Sequence, residues 1–320
     1  MTRRRRAAWP AARRAAIAPA LAALALAGLA GCGFGSGEGV KAVTITATDD
    51  FGSKVVAERR YDQTPGDETV MRLLQRSAKV TTRYGGGFVQ SIDGVVGQTG
   101  GGSQVDWFYY VNGIEASKGA GEVDVQPGDR IWWDRHDWSG AMRIPAVVGS
   151  FPEPFLSGRD GRRLPVRVEC AEGATAACDE VSKRLDDAGV PVSRSIIGAE
   201  AGEKVLRVLV GRWTDVRADI SVRQIEAGPQ TSGVFARIAP DGQSMGALDA
   251  RGQVRRRITA GGGLIAATQI AEQQTAWVVT GLDDAGLLAA AQALDEGTLS
   301  NHFALAVDRG QGVPVPVTGR

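Results

Sequence analysis

Residues 242–246 carry the most suggestive chemistry in the sequence, because they fit the Gly-x-Ser-x-Gly pattern of hydrolase nucleophiles. Asp283 and His302 follow in the Ser, Asp, His order of one hydrolase class. A nucleophile elbow, however, requires a strand, a sharp turn and then a helix, which together expose the hydroxyl. Ser244 instead follows a Pro-Asp-Gly turn and leads into a hairpin-like segment. We therefore predict that the protein is not an enzyme, and a hydrolase using Ser244 is the least favoured alternative.

A second group of reactive side chains is compressed into one short segment. Asp134, His136 and Asp137 offer oxygen and nitrogen donors within four residues. Three donors so close in sequence rarely all reach one ion, and no further donor nearby completes a site. We predict a solvated loop after a strand, and no metal site.

Two glycine-containing segments could line a ligand site. Residues 261–263 are three glycines that precede a predicted helix over 264–273, but no Lys-Ser or Lys-Thr follows, so we predict a glycine-rich turn rather than a phosphate loop. Residues 228–235 form a polar loop that enters a strand. Such loops at sheet ends often line ligand sites in open α/β folds. The alternative is an ordinary connection between a helix and a strand.

The charges are distributed unevenly along the 320 residues, whose formal net charge is +1. Residues 1–31 contain six arginines and no acid, so the remaining residues carry −5. A mildly acidic body argues against a nucleic-acid partner, which requires a basic face.

The N-terminal segment has the features of a secretory signal: a basic start, an apolar run over residues 15–27 and small residues before Cys32. Leu29-Ala30-Gly31-Cys32 resembles the lipobox of bacterial lipoproteins. This resemblance implies cleavage before Cys32 and acylation of its sulfur, by palmitate or a similar chain, and of its amine. An uncleaved anchor is disfavoured, because residues 15–31 contain Pro19 and fall short of the roughly 20 apolar residues of a span.

The N-terminal interpretation sets the location and the redox environment. We predict a signal peptide over residues 1–31, a flexible glycine-rich tether over 32–42, and a lipid-anchored protein on the extracytoplasmic face of the cell membrane. Such a compartment permits disulfides. Cys170 and Cys178 could form a local bridge from a strand end to the next helix, which we favour, or remain two buried thiols.

The elements that would position a site begin with a first domain over residues 43–155. Residues 43–48 alternate as a half-buried strand does, residues 54–59 continue as a second strand, and a helix starts after Asp67. Several strands follow. One helix over a mixed sheet predicts a β-grasp-like domain.

Two motifs in this domain point to a known family. Residues 107–113 read Trp-Phe-Tyr-Tyr-Val-Asn-Gly, and a Pro-Gly-Asp turn at 127–129 precedes an aromatic strand. This pair resembles the C-terminal domain of transcobalamin and intrinsic factor. The resemblance implies a β-grasp domain that caps a corrinoid or similar ligand. His136 is then the only imidazole that this domain could offer to a cobalt.

Five residues are therefore our candidate ligand-binding residues. If Tyr110, Trp133 and Trp138 were exposed together, they would form an aromatic binding patch. The alternative is that these rings pack in the core, as aromatic side chains usually do. The full set of candidates is Tyr110, Asn112, Trp133, His136 and Trp138.

A second domain is predicted over residues 163–308. Strands alternate there with helices such as 174–188 and 283–294, which predicts an α/β sandwich with a substantially parallel sheet. Residues 309–320 contain Pro and Gly and are predicted to be a flexible tail. The fold class is thus α+β, with a β-grasp-like domain followed by an α/β sandwich domain.

These observations favour a lipid-anchored, extracytoplasmic ligand-binding or accessory protein. The resemblance implies a corrinoid or another vitamin-type ligand as the possible cargo of an uptake system, with no resident cofactor and with a transporter or envelope protein as partner. The alternative is a cell-envelope structural or protein-interaction module without a small-molecule ligand.

Overall fold

The computed structural model describes residues 42–100, 103–199, 204–270 and 274–319. The predicted signal peptide, Cys32 and all but the last residue of the predicted tether lie outside the described residues. Within the described ranges, none of the helices combines the length and the apolar character needed to cross a bilayer.

The first half of the chain contains one α-helix and nine strands among its described residues. They are β1 (Val43–Asp49), β2 (Lys54–Tyr61), α1 (Val70–Ser77), β3 (Val80–Arg83), β4 (Phe88–Ile92), β5 (Val95–Val96), β6 (Gln98–Gly100), β7 (Ser103–Val111), β8 (Ile114–Glu115) and β9 (Arg130–Asp137).

The larger sheet of this half has the β-grasp topology that the sequence predicts. Its strand order is β2-β1-β9-β7-β6, with β8 attached to β7 and with β9 lying parallel to β1. Val43, Ile45 and Ala47 alternate toward a core that also contains the buried face of α1. The hydroxyl of Thr69 caps α1 by accepting a hydrogen bond from the Arg72 amide (3.3 Å).

The second half contains six helices and ten strands among its described residues. They are β10 (Val166–Cys170), α2 (Thr175–Asp187), β11 (Val192–Ile196), β12 (Leu206–Arg212), α3 (Trp213–Val216), α4 (Ile220–Glu226), α5 (Pro229–Ser232), β13 (Ala236–Ile238), β14 (Met245–Leu248), β15 (Val254–Ile258), β16 (Gly262–Gln269), β17 (Thr275–Gly281), α6 (Asp284–Gln292), α7 (Glu296–Leu299), β18 (Ala304–Asp308) and β19 (Gln311–Val315).

The sheet of this half is mixed, so the prediction of a substantially parallel sheet holds only for one side. Its order is β11-β10-β12-β17-β16-β18-β19, with parallel pairing from β11 to β17 and antiparallel pairing from β17 to β19. The predicted helix over 264–273 is wrong, because β16 is a central strand buried on both faces. Its continuous apolar run therefore has no alternation that would distinguish a strand from a buried helix.

The prediction of a flexible C-terminal tail is also wrong for residues 311–315. They form β19, which pairs with β18 along its whole length. Val313 and Val315 both point into the core and are separated by the exposed Pro314. The Val317 amide donates to the carbonyl of Leu248 (2.7 Å). The alternation of valines outweighs the Pro and Gly residues that suggested a frayed end.

The two large sheets share one hydrophobic core. Residues 42–319 belong to one compact unit, and the central aromatic contact between the layers is made by Phe303. Its ring lies edge-on to Tyr110 (centroids 5.7 Å apart) and Trp132 (5.1 Å) of the first sheet. The first sheet is therefore covered on both faces, by α1 on one side and by the second layer on the other.

The predicted disulfide is confirmed. Cys170, at the end of β10, is bonded to Cys178 in the first turns of α2, with Cα atoms 6.1 Å apart. The bridge ties the start of the second layer to the helix that covers its outer face.

Candidate functional site

The aromatic candidates do not form an exposed patch. Tyr110 is fully buried against the second layer, and Trp133 is 3% exposed on the opposite face, where it stacks on Tyr109 (4.8 Å). Burial raises the pKa of Tyr110 well above its usual value, and the nearby carboxylates of Glu115 and Asp134 raise it further. Trp138 alone is partly exposed, and its indole donates to Asp106 (3.0 Å). The alternative, in which these rings pack in the core, agrees with the structure, because both faces of this sheet are covered.

His136 lies within the shared core and cannot reach a bound cobalt. It is 2% exposed, and its ring is stacked between those of Phe51 (4.8 Å) and Phe108 (4.5 Å). Its Nδ1 lies 2.9 Å from Asp134 Oδ1. A ligand could reach this imidazole only by separating the two layers.

Asp134 is buried and its carboxylate is occupied by protein donors. It accepts from the hydroxyl of Thr48 (2.5 Å) and from the amides of Phe51 (3.2 Å) and Gly52 (2.9 Å), so it holds the turn between β1 and β2. Asp137 accepts from the Ser139 amide (2.9 Å). The predicted solvated loop is wrong, because β9 continues through Asp137. In the described ranges, no group of three or more His, Cys, Asp or Glu side chains has a metal-binding arrangement.

The serine motif does not have hydrolase geometry. Ser244 precedes β14 in an antiparallel hairpin, as the sequence predicts. The carboxylate of Asp283 caps α6 by accepting from the Gly286 amide (2.7 Å), and it also accepts from the Gly261 amide (2.7 Å). Asp283 therefore has a helix-capping role rather than the role of a triad acid.

Asn112 is buried, and it joins the two motifs that carry the family resemblance. Its Nδ2 donates to Asp129 Oδ1 (2.8 Å), and its Oδ1 accepts from the Arg130 amide (2.8 Å). Nδ2 also donates to the carbonyl of Gly158 (2.8 Å). The Asn-Gly turn and the Pro-Gly-Asp turn are thus two halves of one hydrogen-bonded unit, which reaches the segment leading into the second half.

This unit aligns two tight turns. Asn112 and Gly113 have φ of +54° and +75°, and Asp160 and Gly161 have φ of +52° and +69°, the pattern of type I′ hairpin turns. In the second turn, Arg159 and Arg162 exchange both backbone hydrogen bonds (3.1 and 2.9 Å). The first turn leads directly into β8, and the second presents two arginine side chains beside it.

Between these turns and the second layer lies an open concavity of three adjoining compartments, which we call the interlayer cleft. All three are lined by Ser117 and Arg159. Their volumes are about 350, 400 and 250 Å³, within or just below the range of small-molecule sites.

The compartments differ in their lining. The acidic compartment, of 350 Å³, has four carboxylates against two cations: Glu115, Glu122, Asp124 and Asp160 against Lys118 and Arg159. The amide compartment, of 400 Å³, is lined by Gln230, Thr231 and Gln269 together with Glu115, Arg143 and Arg159. The basic compartment, of 250 Å³, has Lys118, Arg159 and Arg162 against Asp160, over the apolar side chains of Ile114, Pro154, Leu164 and Leu206.

Hydrogen bonds to its main-chain carbonyls fix the loop that carries the acidic side chains. The hydroxyl of Tyr109 donates to the carbonyl of Lys118 (2.6 Å). The amides of Met71 and Val70, at the start of α1, donate to the carbonyls of Ala120 (2.9 Å) and Val123 (3.0 Å). The first amides of α1, which have no partner within the helix, therefore hold the wall of the cleft.

Glu115 is the most buried charged group in the cleft lining. Burial raises its pKa, and the guanidinium of Arg143, whose Nε lies 3.2 Å from Oε2, opposes that effect. The Arg143 side chain is 62% exposed, so the partner of this buried carboxylate is itself accessible from solvent.

Sequence reasoning found only part of this cleft. It selected residues 228–235 as a polar loop. Four of these residues form the short helix α5, whose Gln230 and Thr231 line the amide compartment. It missed Glu115, whose burial within the two-residue strand β8 has no pattern in the sequence, and Ser117 and Lys118, which are ordinary exposed polar residues after that strand. The signal that could have found Arg159 and Arg162 is the Asp-Gly pair between them, which is typical of a tight turn.

Residues 67–137 match the family described as "Domain of unknown function (DUF4430)". The matched segment runs from α1 through β9 and contains both motifs of the transcobalamin-like resemblance, a family with which DUF4430 is associated. A solved structure titled "putative metal binding protein", from Ruminococcus gnavus, is 16% identical, with a TM-score of 0.24 over 30% of this chain and 97% of that one. This likeness is too low to bear on function. No curated protein is significantly similar to the chain.

We expect Asn112 to be critical for stability. Asn112→Ala removes three hydrogen bonds, leaves Asp129 buried without this donor and places Ala at positive φ, so the free energy of unfolding should fall by about 3 kcal/mol. Asn112→Gly loses the same bonds but tolerates the backbone conformation, so its loss should be smaller by about 1 kcal/mol. Urea denaturation measures both. If the free energies of unfolding of both variants lie within about 0.5 kcal/mol of the wild-type value, Asn112 does not join these turns.

Asp129 should make stability depend on pH. Burial raises its pKa from 3.8 to about 6, so the folded protein binds this proton more tightly than the unfolded chain. Its contribution to the free energy of unfolding is therefore greatest below pH 3.8 and falls as pH rises through about 6. Relative to Asp129→Asn, the wild type should lose on the order of 2 kcal/mol between pH 4 and pH 7 in denaturation experiments. Parallel curves for the two proteins would contradict this.

Proposed function

We propose that the protein is a lipid-anchored, extracytoplasmic binding protein that captures a small molecule in the interlayer cleft. The observation that carries the proposal is the continuity of the three compartments through Ser117 and Arg159. Small-ligand sites are usually concave, and they occur preferentially where two structural units meet.

The arrangement favours a ligand other than a corrinoid. The residues that line the three compartments include no imidazole that could bind a cobalt, and the only imidazole of the first half of the chain is enclosed by Phe51 and Phe108. Corrinoid capture, which the family resemblance implies, therefore remains the alternative, and the same titration tests it.

The anchor supports a role in capture close to the membrane. The residues between Cys32 and β1 extend to at most about 35 Å, so a bound ligand would be held near the bilayer. A body with a formal charge of −5 is not attracted to anionic lipid, so acyl chains on Cys32 would provide the attachment. We propose a membrane transporter or another envelope protein as the recipient of the ligand.

Blocking the cleft tests the binding site. Ser117 is exposed and lines all three compartments, so Ser117→Trp should fill the cleft without disturbing the core. In a thermal-shift screen of metabolites that includes cobalamin, a ligand at about 100 times its Kd should stabilise the wild type by about 2.7 kcal/mol. The same ligand should not change the stability of Ser117→Trp.

Ser139→Trp is the matched control, because Ser139 is exposed and is not among the residues that line these compartments. It should respond to the ligand as the wild type does. A ligand that stabilises Ser117→Trp as much as the wild type would place binding elsewhere. A screen without stabilising compounds, combined with native mass spectra of membrane-purified protein that show no bound small molecule, would refute the proposal.

Replacing the acylated cysteine tests the anchor. Cys32→Ala should move the protein from the membrane fraction to the soluble fraction after cell lysis, because the acyl chains would be absent. Ser36→Ala, in the predicted tether, should leave the protein in the membrane fraction. Persistence of Cys32→Ala in the membrane fraction would contradict the lipoprotein assignment.

A further inference from the structure

The three compartments of the interlayer cleft carry charges of opposite sign at their two ends. The acidic compartment has a net charge of −2 from four carboxylates and two cations. The basic compartment has a net charge of +2 from three cations and Asp160. Lys118, Arg159 and Asp160 line both, so the difference arises from Glu115, Glu122 and Asp124 at one end and Arg162 at the other.

The charged groups at the two ends are held by different parts of the backbone. Glu122 and Asp124 lie on the loop that is hydrogen-bonded to the start of α1. Arg162 is the last residue of the tight turn that begins at Arg159. The residue before this turn, Gly158, accepts a hydrogen bond from Asn112. Asn112 donates to the Gly158 carbonyl and to Asp129, and Asp129 also accepts from the Gln126 amide, two residues after Asp124. The two poles are therefore connected through one hydrogen-bonded unit.

Apolar and hydrogen-bonding groups line the cleft together with these charges. Ile114 and Leu206 are buried beneath the basic compartment, where Pro154 and Leu164 complete the apolar floor. The amide compartment adds the carboxamides of Gln230 and Gln269 and the hydroxyl of Thr231. These are donors and acceptors of the kind that pair with a peptide group.

We infer that the ligand of the cleft is a zwitterion with an apolar body, the chemistry of a short peptide or a free amino acid. Its ammonium group lies beside Glu122 and Asp124, and its carboxylate lies beside Arg162. Arginine is suited to a carboxylate, because its planar fork can donate two parallel hydrogen bonds. This inference rests on the proposed function and adds the ligand class to it.

Capped peptides provide the test. Calorimetric titrations would compare leucine, leucyl-leucine, leucyl-leucine amide, which lacks the carboxylate, and N-acetyl-leucyl-leucine, which lacks the ammonium. Leucyl-leucine should bind the wild type more tightly than either capped peptide by about fivefold. Free leucine distinguishes an amino-acid site from a peptide site, since the larger molecule should bind more tightly if it reaches both ends.

Two variants then assign the ends. Arg162→Gln should weaken the binding of leucyl-leucine by about fivefold. Its affinity for leucyl-leucine amide should stay within about twofold of the wild-type value, because the amide has no carboxylate for Arg162 to bind. Glu122→Gln should weaken the binding of leucyl-leucine by a similar factor and leave the affinity for the N-acetyl peptide unchanged. Arg163→Gln, which changes an exposed neighbour outside the lining, should bind all four ligands as the wild type does.

The outcomes separate this inference from the proposed function. If capped and free peptides bind equally, or if leucyl-leucine and leucine give no heat at about 10 mM, the zwitterion inference is wrong. The proposed function would still stand if another compound stabilises the wild type and not Ser117→Trp. If leucyl-leucine binds Ser117→Trp and the wild type equally, the site itself is wrong for this ligand.

Discussion

The hydrogen bonds of one buried side chain, Asn112, hold together the parts of the structure on which the account depends. Its carboxamide contacts the Asp129 carboxylate, the Arg130 amide and the Gly158 carbonyl, so it connects the β7–β8 turn, the start of β9 and the segment leading to the second layer. A carboxamide is suited to this position, because it donates and accepts at once. Asparagine also tolerates the left-handed conformation that the turn requires better than most residues. Gly158, which accepts from Asn112, lines the basic compartment, so Asn112 supports the cleft from outside its lining.

Burial on both faces of the first sheet explains why the aromatic residues are structural. Adjacent residues of β9, such as Trp132 and Trp133, point in opposite directions, and each finds a hydrophobic layer. An isolated β-grasp domain would leave one of these faces exposed to solvent, which is the case that the patch hypothesis assumes. Here Phe303 of the second layer packs against Tyr110, Trp132 and His136, so the rings that suggested a ligand platform form the interface between the layers. The proposed ligand site lies outside this interface, because none of these rings lines the interlayer cleft.

The parts of the fold that were predictable have strong local signals. The alternation of residues 43–48, the glycine-containing turns and the helix start at Asp283 each reflect local conformational preferences, and the structure follows them. The topology of the second sheet was less predictable, because β16 is apolar on both faces and β19 gains its stability from pairing with β18. The cleft could not be derived from sequence, since Glu122, Arg162 and Gln230 meet only after the two layers pack. The Asn-Gly and Pro-Gly-Asp motifs were visible, but their mutual hydrogen bond was not.

The central claim is that the junction of the two layers is a binding site with an acidic end and a basic end. A crystal structure of the protein grown with leucyl-leucine tests it most directly. The account predicts density for the peptide in the interlayer cleft, with its amine beside Glu122 and Asp124 and its carboxylate beside Arg162. Peptide density at another surface with an empty cleft, or a peptide bound in the reverse orientation, would contradict it.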